Sequence, residues 1–129
     1  MAWEFNSDKP IYWQIVDIIK FEIIIGKYKN GEKLSSVREF AQEAGVNPNT
    51  MQRAFTELER ENLVFSERTN GRFVTEDRDL INRFREEYAQ NCIEKITKQL
   101  LDLGYSKEEL LSLLQKNIES EVTKNDCTV

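Results

Sequence analysis

The stretch from Leu34 to Val74 constrains the fold of this 129-residue chain more than any other part. Its pattern predicts a short helix, a second helix opened by Asn47-Pro48, and two β-rich segments joined by a tight turn at Asn70-Gly71. A helix-turn-helix followed by a two-stranded wing is an arrangement that places one helix in the major groove of DNA. We therefore expect a winged helix-turn-helix, with the helix-turn-helix at about 36–61 and the wing at about 63–75.

Individual residues mark where these two helices begin and end. Ser36 followed by Glu39 is a capping box, so the first of them starts directly after Ser36. Gly45 supplies the tight or left-handed conformation that ends it. Asn47 then caps the next helix, and Pro48 takes its first position, where an N–H group would have no partner in any case.

The helix that follows Pro48 has two chemically different sides. At about 100° per residue, its inward side is formed by Met51, Ala54, Phe55 and Leu58. Its outward side is formed by Asn49, Arg53, Thr56 and Arg60, flanked by Thr50 and Gln52. The first two turns of the outward side offer amide, hydroxyl and guanidinium groups and no carboxylate, and such groups recognise base edges. The alternative is an ordinary solvated face, since polar outer faces are the norm for helices.

The net charge of −5 argues against a nucleic-acid binder until its distribution is considered. Distribution matters more than the sum because a phosphate backbone meets only one face of a protein. Residues 44–56 and 68–75, the predicted recognition helix and wing, contain no acidic residue. Acids concentrate instead in residues 77–129, which hold 11 of them, and at the far end of the recognition helix, at Glu57, Glu59 and Glu61.

Helical patterns flank this segment on both sides. Apolar residues recur at helical spacing after Pro10, and Gly26 fits the end of that first helix. The first helix is so apolar that we expect a second element or a second subunit to cover it. Helical spacing returns beyond residue 75 and continues to Gly104, after which Ser106 and Glu109 form another capping box.

The predicted fold class is therefore α+β and mostly helical, and the chain suits one small domain with an appendage. We assign residues 1–76 to a winged helix-turn-helix domain and residues 77–121 to a short two-helix C-terminal dimerisation segment. Residues 122–129 are predicted to form a disordered tail.

The composition disfavours several classes of function. The chain has no histidine, no nucleophile motif and no phosphate-binding loop, so we expect neither an enzyme nor a cofactor or metal site. No apolar run is long enough to span a membrane, and the N-terminus lacks the basic region of a signal peptide. Cys92 and Cys127 show no paired spacing, which favours a reducing cytoplasm. We expect Cys92 to be a small core residue.

The chain resembles the GntR family of bacterial transcription regulators. The matching run is LSSVREFAQEAGVNPNTMQRAFTELERENLVFSERTNGRFV, preceded by the helix opening PIYWQI, and it covers roughly residues 10–75. The short helical C-terminal part resembles the YtrA-like branch, because about 50 residues cannot hold the larger effector domains of other branches. The resemblance to this branch implies that the C-terminal helices pair two subunits.

The resemblance also implies residue roles. Ser36 and Arg38 are expected to contact phosphate or a groove, and the backbone at Gly71 is expected to approach the minor groove. The full set of predicted DNA-binding residues is Ser36, Arg38, Asn47, Asn49, Thr50, Gln52, Arg53, Arg68, Asn70, Gly71 and Arg72. Three residues depart from the family pattern: Ser35 stands in place of a proline, and Asn62 and Thr69 in place of glycines.

The function we predict is a sequence-specific DNA-binding transcription regulator, a repressor that acts as a homodimer on an inverted-repeat operator. The alternative is a winged-helix protein-interaction module that does not bind DNA. Alternatives also exist for single residues. Arg38 could pair with Glu39 or Glu43 of its own helix, and Arg68 and Arg72 could simply keep the hairpin tip soluble. No group of residues outlines an effector pocket, and neither the operator sequence nor an effector follows from the sequence.

Overall fold

The computed structural model describes the backbone of residues 3–127 and the side chains of residues 3–122. Within these residues the elements, in chain order, are α1 (Ile11–Ile24), α2 (Val37–Ala44), α3 (Pro48–Arg60), β1 (Val64–Glu67), β2 (Gly71–Val74), α4 (Arg78–Asp102) and α5 (Lys107–Cys127). The predicted fold class, α+β and mostly helical with a winged helix-turn-helix, is confirmed. The chain divides into two compact units, Met1–Arg85 and Glu86–Val129.

The first unit is built around α3, which packs against both α1 and α2. The core contains Ile15, Val16, Ile19 and Ile23 of α1, Phe40, Ala41 and Ala44 of α2, Met51, Ala54, Phe55 and Leu58 of α3, and Leu63, Val64 and Val74 of the wing. The rings of Phe40 and Phe55 lie 5.3 Å apart at its centre. Burial of these aliphatic and aromatic side chains is the main force that holds the three helices together.

The predicted helix ends are confirmed. The Ser36 hydroxyl accepts a hydrogen bond from the Glu39 N–H at 3.1 Å, and the Glu39 carboxylate accepts one from the Ser36 N–H. Gly45 ends α2 in the left-handed conformation, with φ +74°. At the start of α3 the Asn47 side chain accepts from the Asn49 N–H at 2.8 Å. Asn62, beyond α3, has φ +64°, which asparagine tolerates better than most residues.

The hairpin is confirmed, but its turn is not of type I′, the type that an Asn-Gly pair such as Asn70-Gly71 favours. Such a turn needs a positive φ at both Asn70 and Gly71, and Asn62 is the one non-glycine residue of the described chain with a positive φ. Instead the Asn70 N–H donates to the Glu67 carbonyl at 3.3 Å, and Gly71 opens β2 with φ +97°, paired with Glu67. The loop contains three residues, 68–70, instead of the two of a type I′ hairpin, and Gly71, directly after it, is the residue with a positive φ.

Residues 31–34 form a third, short partner of the wing, which the sequence analysis did not predict. The Gly31 N–H donates to the Val74 carbonyl at 3.0 Å, and the Leu34 N–H donates to the Arg72 carbonyl at 2.8 Å. Just before this segment, the Tyr28 hydroxyl donates to the Glu22 carboxylate at 2.9 Å. Burial and that carboxylate raise the pKa of Tyr28 well above its ordinary value, so the phenol remains a donor.

The first unit also includes the start of α4, beyond the domain boundary predicted after residue 76. Leu80, Ile81 and Phe84 pack against the core. The Lys20 ammonium lies 4.1 Å from the Phe84 ring centroid and 2.9 Å from the Glu61 carboxylate. The apolar side chains of the first two turns of α4 thus extend the core of the first unit, which is why the compact unit ends later than predicted.

The second unit contains the rest of α4 and all of α5, and the predicted boundary between these helices is confirmed. Gly104 has φ +98°, and the Ser106–Glu109 capping box closes with two hydrogen bonds of 3.1 Å. Among residues 86–122, Leu110 is the single buried side chain. Cys92 is exposed within this chain, contrary to the predicted core position.

The end of the chain differs from the predicted disordered tail at 122–129. Helix α5 continues to Cys127, and residues 128 and 129 lie outside the described residues. No proline or glycine occurs after Gly104 to end the helix. None of the described helices is both long and apolar enough to cross a membrane.

Candidate DNA interface

The outer face of α3 is the centre of the candidate interface. The inward residues of α3, Met51, Ala54, Phe55 and Leu58, are inaccessible to solvent, as predicted. On the opposite side the side chains of Asn49, Gln52, Arg53 and Thr56 are exposed, and Thr50 is half-buried. Burial of the inward stripe therefore turns the amide, guanidinium and hydroxyl groups outward together.

Arg53 is held by an aromatic ring from another helix. Its guanidinium carbon lies 3.8 Å from the centroid of the Tyr12 ring, at the start of α1. A guanidinium over an aromatic face gains a cation–π attraction and loses some freedom of motion. Tyr12 therefore presents Arg53 in a restricted position without using up its N–H donors.

Arg72 does not lie free at the wing tip, where the sequence had placed it beside Arg68. Its Nε donates to the Glu59 carboxylate at 2.8 Å, and its Nη2 donates to the Gln52 side-chain oxygen at 3.4 Å. The side chain is 24 % exposed because it lies against α3. Arg72 therefore links the wing to the recognition helix. Of the wing residues predicted to bind DNA, it is the one with a hydrogen bond to α3 within the described part of the chain.

The N-terminus of α2 contributes Ser36 and Arg38. The Ser36 hydroxyl is used within the cap, where it also donates to the Glu39 carboxylate at 3.1 Å. Arg38 is exposed and forms no ion pair with any described residue, so the pairing with Glu39 or Glu43 that the sequence allowed is not observed. Arg38 therefore keeps its full charge available at a helix N-terminus, a position suited to a phosphate.

The wing tip contains Arg68, Asn70 and Gly71, all exposed. The Asn70 amide donates to the Glu67 carboxylate at 3.0 Å, so this acid is turned toward the loop. Arg68 has no ion-pair partner within the described part of the chain. A positive charge at the tip and a glycine without a side chain permit close approach to a nucleic-acid backbone.

Lys33 is a residue of this surface that the sequence did not single out. It pairs through a backbone bridge with Phe73 of β2, and its Cε lies 3.3 Å from the point where a Cβ on Gly71 would stand. Its side chain is exposed. The bridge is a single residue in a segment too short for a two-residue hydrophobic period, so no local pattern pointed to it.

The acids of α3 and of its C-cap, Glu61, all form ion pairs with nearby cations. Glu57 pairs with Arg60 at 3.2 Å, Glu59 with Arg72 at 2.8 Å, and Glu61 with Lys20 at 2.9 Å. These pairs leave Arg53 without an acidic partner and leave no unpaired carboxylate along the recognition helix. The negative charge lies mostly elsewhere: residues 1–85 hold 13 Lys and Arg against 14 Asp and Glu, and residues 86–129 hold 5 against 9.

A winged helix-turn-helix with a carboxylate-poor, outward-facing second helix defines a DNA-binding transcription regulator. The family model of the bacterial regulatory proteins of the gntR family matches residues 11–74. The chain is 39% identical over 108 residues to the HTH-type transcriptional regulator YhcF of Bacillus subtilis, covering 84% of this chain and 89% of that relative. It therefore belongs to the GntR family.

Further similarities extend beyond the winged domain. The HTH-type transcriptional repressor YtrA of Bacillus subtilis is 36% identical over 127 residues, which cover 94% of this chain and 95% of that protein. A GntR family transcriptional regulator from Listeria monocytogenes superposes with a TM-score of 0.80 and 39% identity, over 87% of this chain and 98% of that chain. The predicted resemblance to the YtrA-like branch is thereby confirmed.

One similar structure is that of AraR(DBD) in complex with operator ORX1. It matches with a TM-score of 0.53 and 27% identity, covering 58% of this chain and 99% of that chain. The likeness supports a DNA-binding winged helix in this chain. The individual DNA contacts predicted for its residues stay predictions.

Proposed function

We propose that this protein is a homodimeric transcriptional repressor that binds an inverted-repeat operator. In this proposal α3 enters the major groove, and the N-terminus of α2 and the wing hold the flanking phosphates. The observation that carries the proposal is the outer face of α3, where exposed Asn49, Gln52 and Arg53 lie on a helix whose acids are all paired. The name of the relative YtrA, a transcriptional repressor, supports repression as the direction of control.

The cations around α3 support the proposal that phosphate contacts and base recognition are made by different residues. Arg38, Arg68 and Lys33 are exposed and unpaired among the described residues, and they lie on three different segments. Cations of this kind contact phosphates and fix the register of a protein on the duplex without recognising sequence. Base recognition is then left to the amides and the guanidinium of α3, which match the donor and acceptor pattern of the major groove.

The dimer is supported by the apolar surface of the second unit. On α5 the residues Leu111, Leu114, Ile118 and Val122 lie on one helix face, and three of them are more than half exposed. Exposed apolar faces of this extent mark an interface, and a second copy of the same chain is the occupant we propose. A two-fold dimer then matches two half-sites about 34–36 Å apart.

The competing hypothesis is a winged-helix module that binds another protein and no longer binds DNA. The net charge of −5 is its main support. That support is weakened because the winged unit is nearly neutral and the excess of acid lies in residues 86–129. The paired acids of α3 weaken it further, since no free carboxylate of that helix faces a phosphate backbone.

Fluorescence anisotropy with the DNA upstream of the protein's own gene tests the proposal. We expect tight binding to one segment, a preference over random duplex of at least about a thousandfold, and a strong decrease of affinity with salt. A scrambled duplex of the same length and base composition is the control. A salt dependence near zero, or equal affinity for the scrambled duplex, would support the protein-interaction module instead.

A further inference from the structure

Three contacts hold the Arg72 guanidinium against the recognition helix. Its Nε donates to Glu59 Oε1 at 2.8 Å, its Nη2 donates to Gln52 Oε1 at 3.4 Å, and its carbon lies 5.5 Å from the Phe55 ring centroid. Gln52 and Glu59 are seven residues apart on α3, so they lie along one face of the helix. Arg72 reaches this face from β2, and the backbone bond from Leu34 to its carbonyl holds that strand in place.

This arrangement decides which end of the Gln52 amide is available. A glutamine side chain has one oxygen acceptor and one NH₂ donor, whereas arginine has only donors. Arg72 can therefore bind only the oxygen of Gln52, and the donor end, Nε2, is left for another partner. Since Gln52 is exposed on the outer face of α3, that donor is directed to solvent or to a ligand on this face.

An amide that recognises adenine uses both of its ends, because it accepts from N6 and donates to N7. With its oxygen already bound to Arg72, Gln52 is a weaker acceptor for adenine N6 and offers mainly its NH₂ donor. In the major groove, guanine presents the acceptors O6 and N7 and thymine presents O4, whereas cytosine presents a donor. Adenine N7 also accepts, but the N6–H₂ donor beside it is then left without a good acceptor. A glutamine that offers mainly its donors therefore favours a base with a keto oxygen.

We propose that Arg72 is a specificity-determining positioning residue, which fixes the Gln52 amide so that Gln52 recognises guanine or thymine rather than adenine. This inference rests on the proposed function, in which α3 contacts base edges. Glu59 supports Arg72 by accepting a hydrogen bond from its Nε. Arg72 thus acts on DNA sequence preference through Gln52, and it does not need to touch a base or a phosphate itself.

The test begins with an operator selected by the full-length protein from a random duplex library. Each position of one half-site is then replaced by the three other bases, and affinities are measured by competition anisotropy. For the wild-type protein we expect one position at which guanine or thymine is preferred over adenine by roughly tenfold or more. Arg72→Met, which keeps the apolar stem and removes the donors, should erase that preference at the same position.

Arg68→Met is the matched control, because it removes one charge from the same hairpin without a contact to α3. We expect it to weaken binding to all duplexes equally, to lower the salt slope by about one, and to leave base preference unchanged. Gln52→Ala, a change of an exposed residue, should lose the keto preference as Arg72→Met does. In the Gln52→Ala background, Arg72→Met should then have no further effect on preference.

Two results overturn the inference while leaving the proposed function intact. One is an unchanged preference in Arg72→Met, or a uniform loss like that of Arg68→Met, which would make Arg72 a phosphate contact. The other is a shift in preference that persists in the Gln52→Ala background, which would show an effect not transmitted by Gln52. A wild-type protein with no sequence preference at all overturns the proposed function and this inference together. If Arg72→Met fails to fold, Arg72→Lys replaces it. Lysine keeps the apolar stem and the charge but lacks the planar fork that binds Glu59 and Gln52 together, so the same preference should fall, and an unchanged preference overturns the inference.

Discussion

Asn47 caps α3 and is also a predicted DNA-binding residue, and two substitutions distinguish these roles. Its side-chain oxygen accepts from the Asn49 N–H at 2.8 Å, and its side chain is exposed. Asn47→Ala removes the cap and should cost about 1 kcal/mol of the free energy of unfolding, measured by urea denaturation. Asn47→Asp keeps the acceptor and should preserve stability.

The same Asn47→Asp variant should nevertheless lose DNA affinity, because it puts a carboxylate at the start of the helix that we propose to enter the major groove. We expect a loss of about 1–2 kcal/mol in anisotropy measurements at moderate salt. Equal DNA affinity of Asn47→Asp and wild type would place this end of α3 away from the duplex.

Arg53 and Arg60 provide a matched pair of arginines on α3. Arg53 is held over the Tyr12 ring near the start of the helix, whereas Arg60 pairs with Glu57 at its end. Arg53→Ala should cost about 1–3 kcal/mol of specific binding and relax the preference at one base pair. Arg60→Ala should change operator affinity little. If operator affinity is unchanged in Arg53→Ala, Arg53 does not recognise a base.

At the scale of the elements, local chemistry decided what the sequence could predict. The capping boxes, Asn47-Pro48 and the apolar stripe of α3 each involve residues within one or two helical turns, and all are confirmed. The pairing of residues 31–34 with β2 was missed because its hydrogen bonds join segments about 40 residues apart. Arg72 was misplaced for the same reason, since its partner Glu59 lies 13 residues away on another element.

The segment that carries Lys33 is attached to α1 through Tyr28, and this attachment has a pH signature. Tyr28→Phe removes the hydrogen bond to Glu22 and should lower the free energy of unfolding by about 1–2 kcal/mol at neutral pH. The pKa of Tyr28 is raised in the folded state, so its contribution is complete below pH 10.0, the ordinary value of the phenol, and is lost as the pH rises above it.

Urea denaturation of wild type and Tyr28→Phe between neutral pH and about pH 11 checks this expectation. The difference in stability between the two proteins should shrink as the unfolded phenol ionises. Tyr12→Phe is the control. It removes a phenol hydroxyl from another ring that packs against the same core, and it leaves the hydrogen bond between Tyr28 and Glu22 in place. A difference that stays constant with pH would contradict the assigned role of the Tyr28 hydroxyl.

At the scale of the whole molecule, the two units differ in how they are stabilised. The first has a closed core around Phe55, whereas the second exposes most of its aliphatic side chains, with Leu110 the one that is buried among residues 86–122. Periodicity alone predicted the helices of both units correctly. It could not distinguish a stripe buried within the chain from one left exposed, which is why Cys92 was expected in a core.

The exposed stripe of α5 leads to the final prediction. Ile118 is 61 % exposed, and Asn117 beside it lies on a different side of the helix and is also exposed. Burying an isoleucine against a second subunit contributes about 1.5–3 kcal/mol, so Ile118→Glu should raise the dimer dissociation constant at least about tenfold. Asn117→Glu adds the same charge and should leave the dimer intact.

Sedimentation equilibrium at micromolar concentration measures both variants, and operator anisotropy measures the consequence. Because a dimer holds two recognition helices on one duplex, Ile118→Glu should lose far more affinity for a full inverted repeat than for a single half-site. Asn117→Glu should retain the wild-type ratio between these two duplexes. A wild-type chain that sediments as a monomer, or equal effects of the two substitutions, would show that α5 does not pair the subunits and that the operator need not be an inverted repeat.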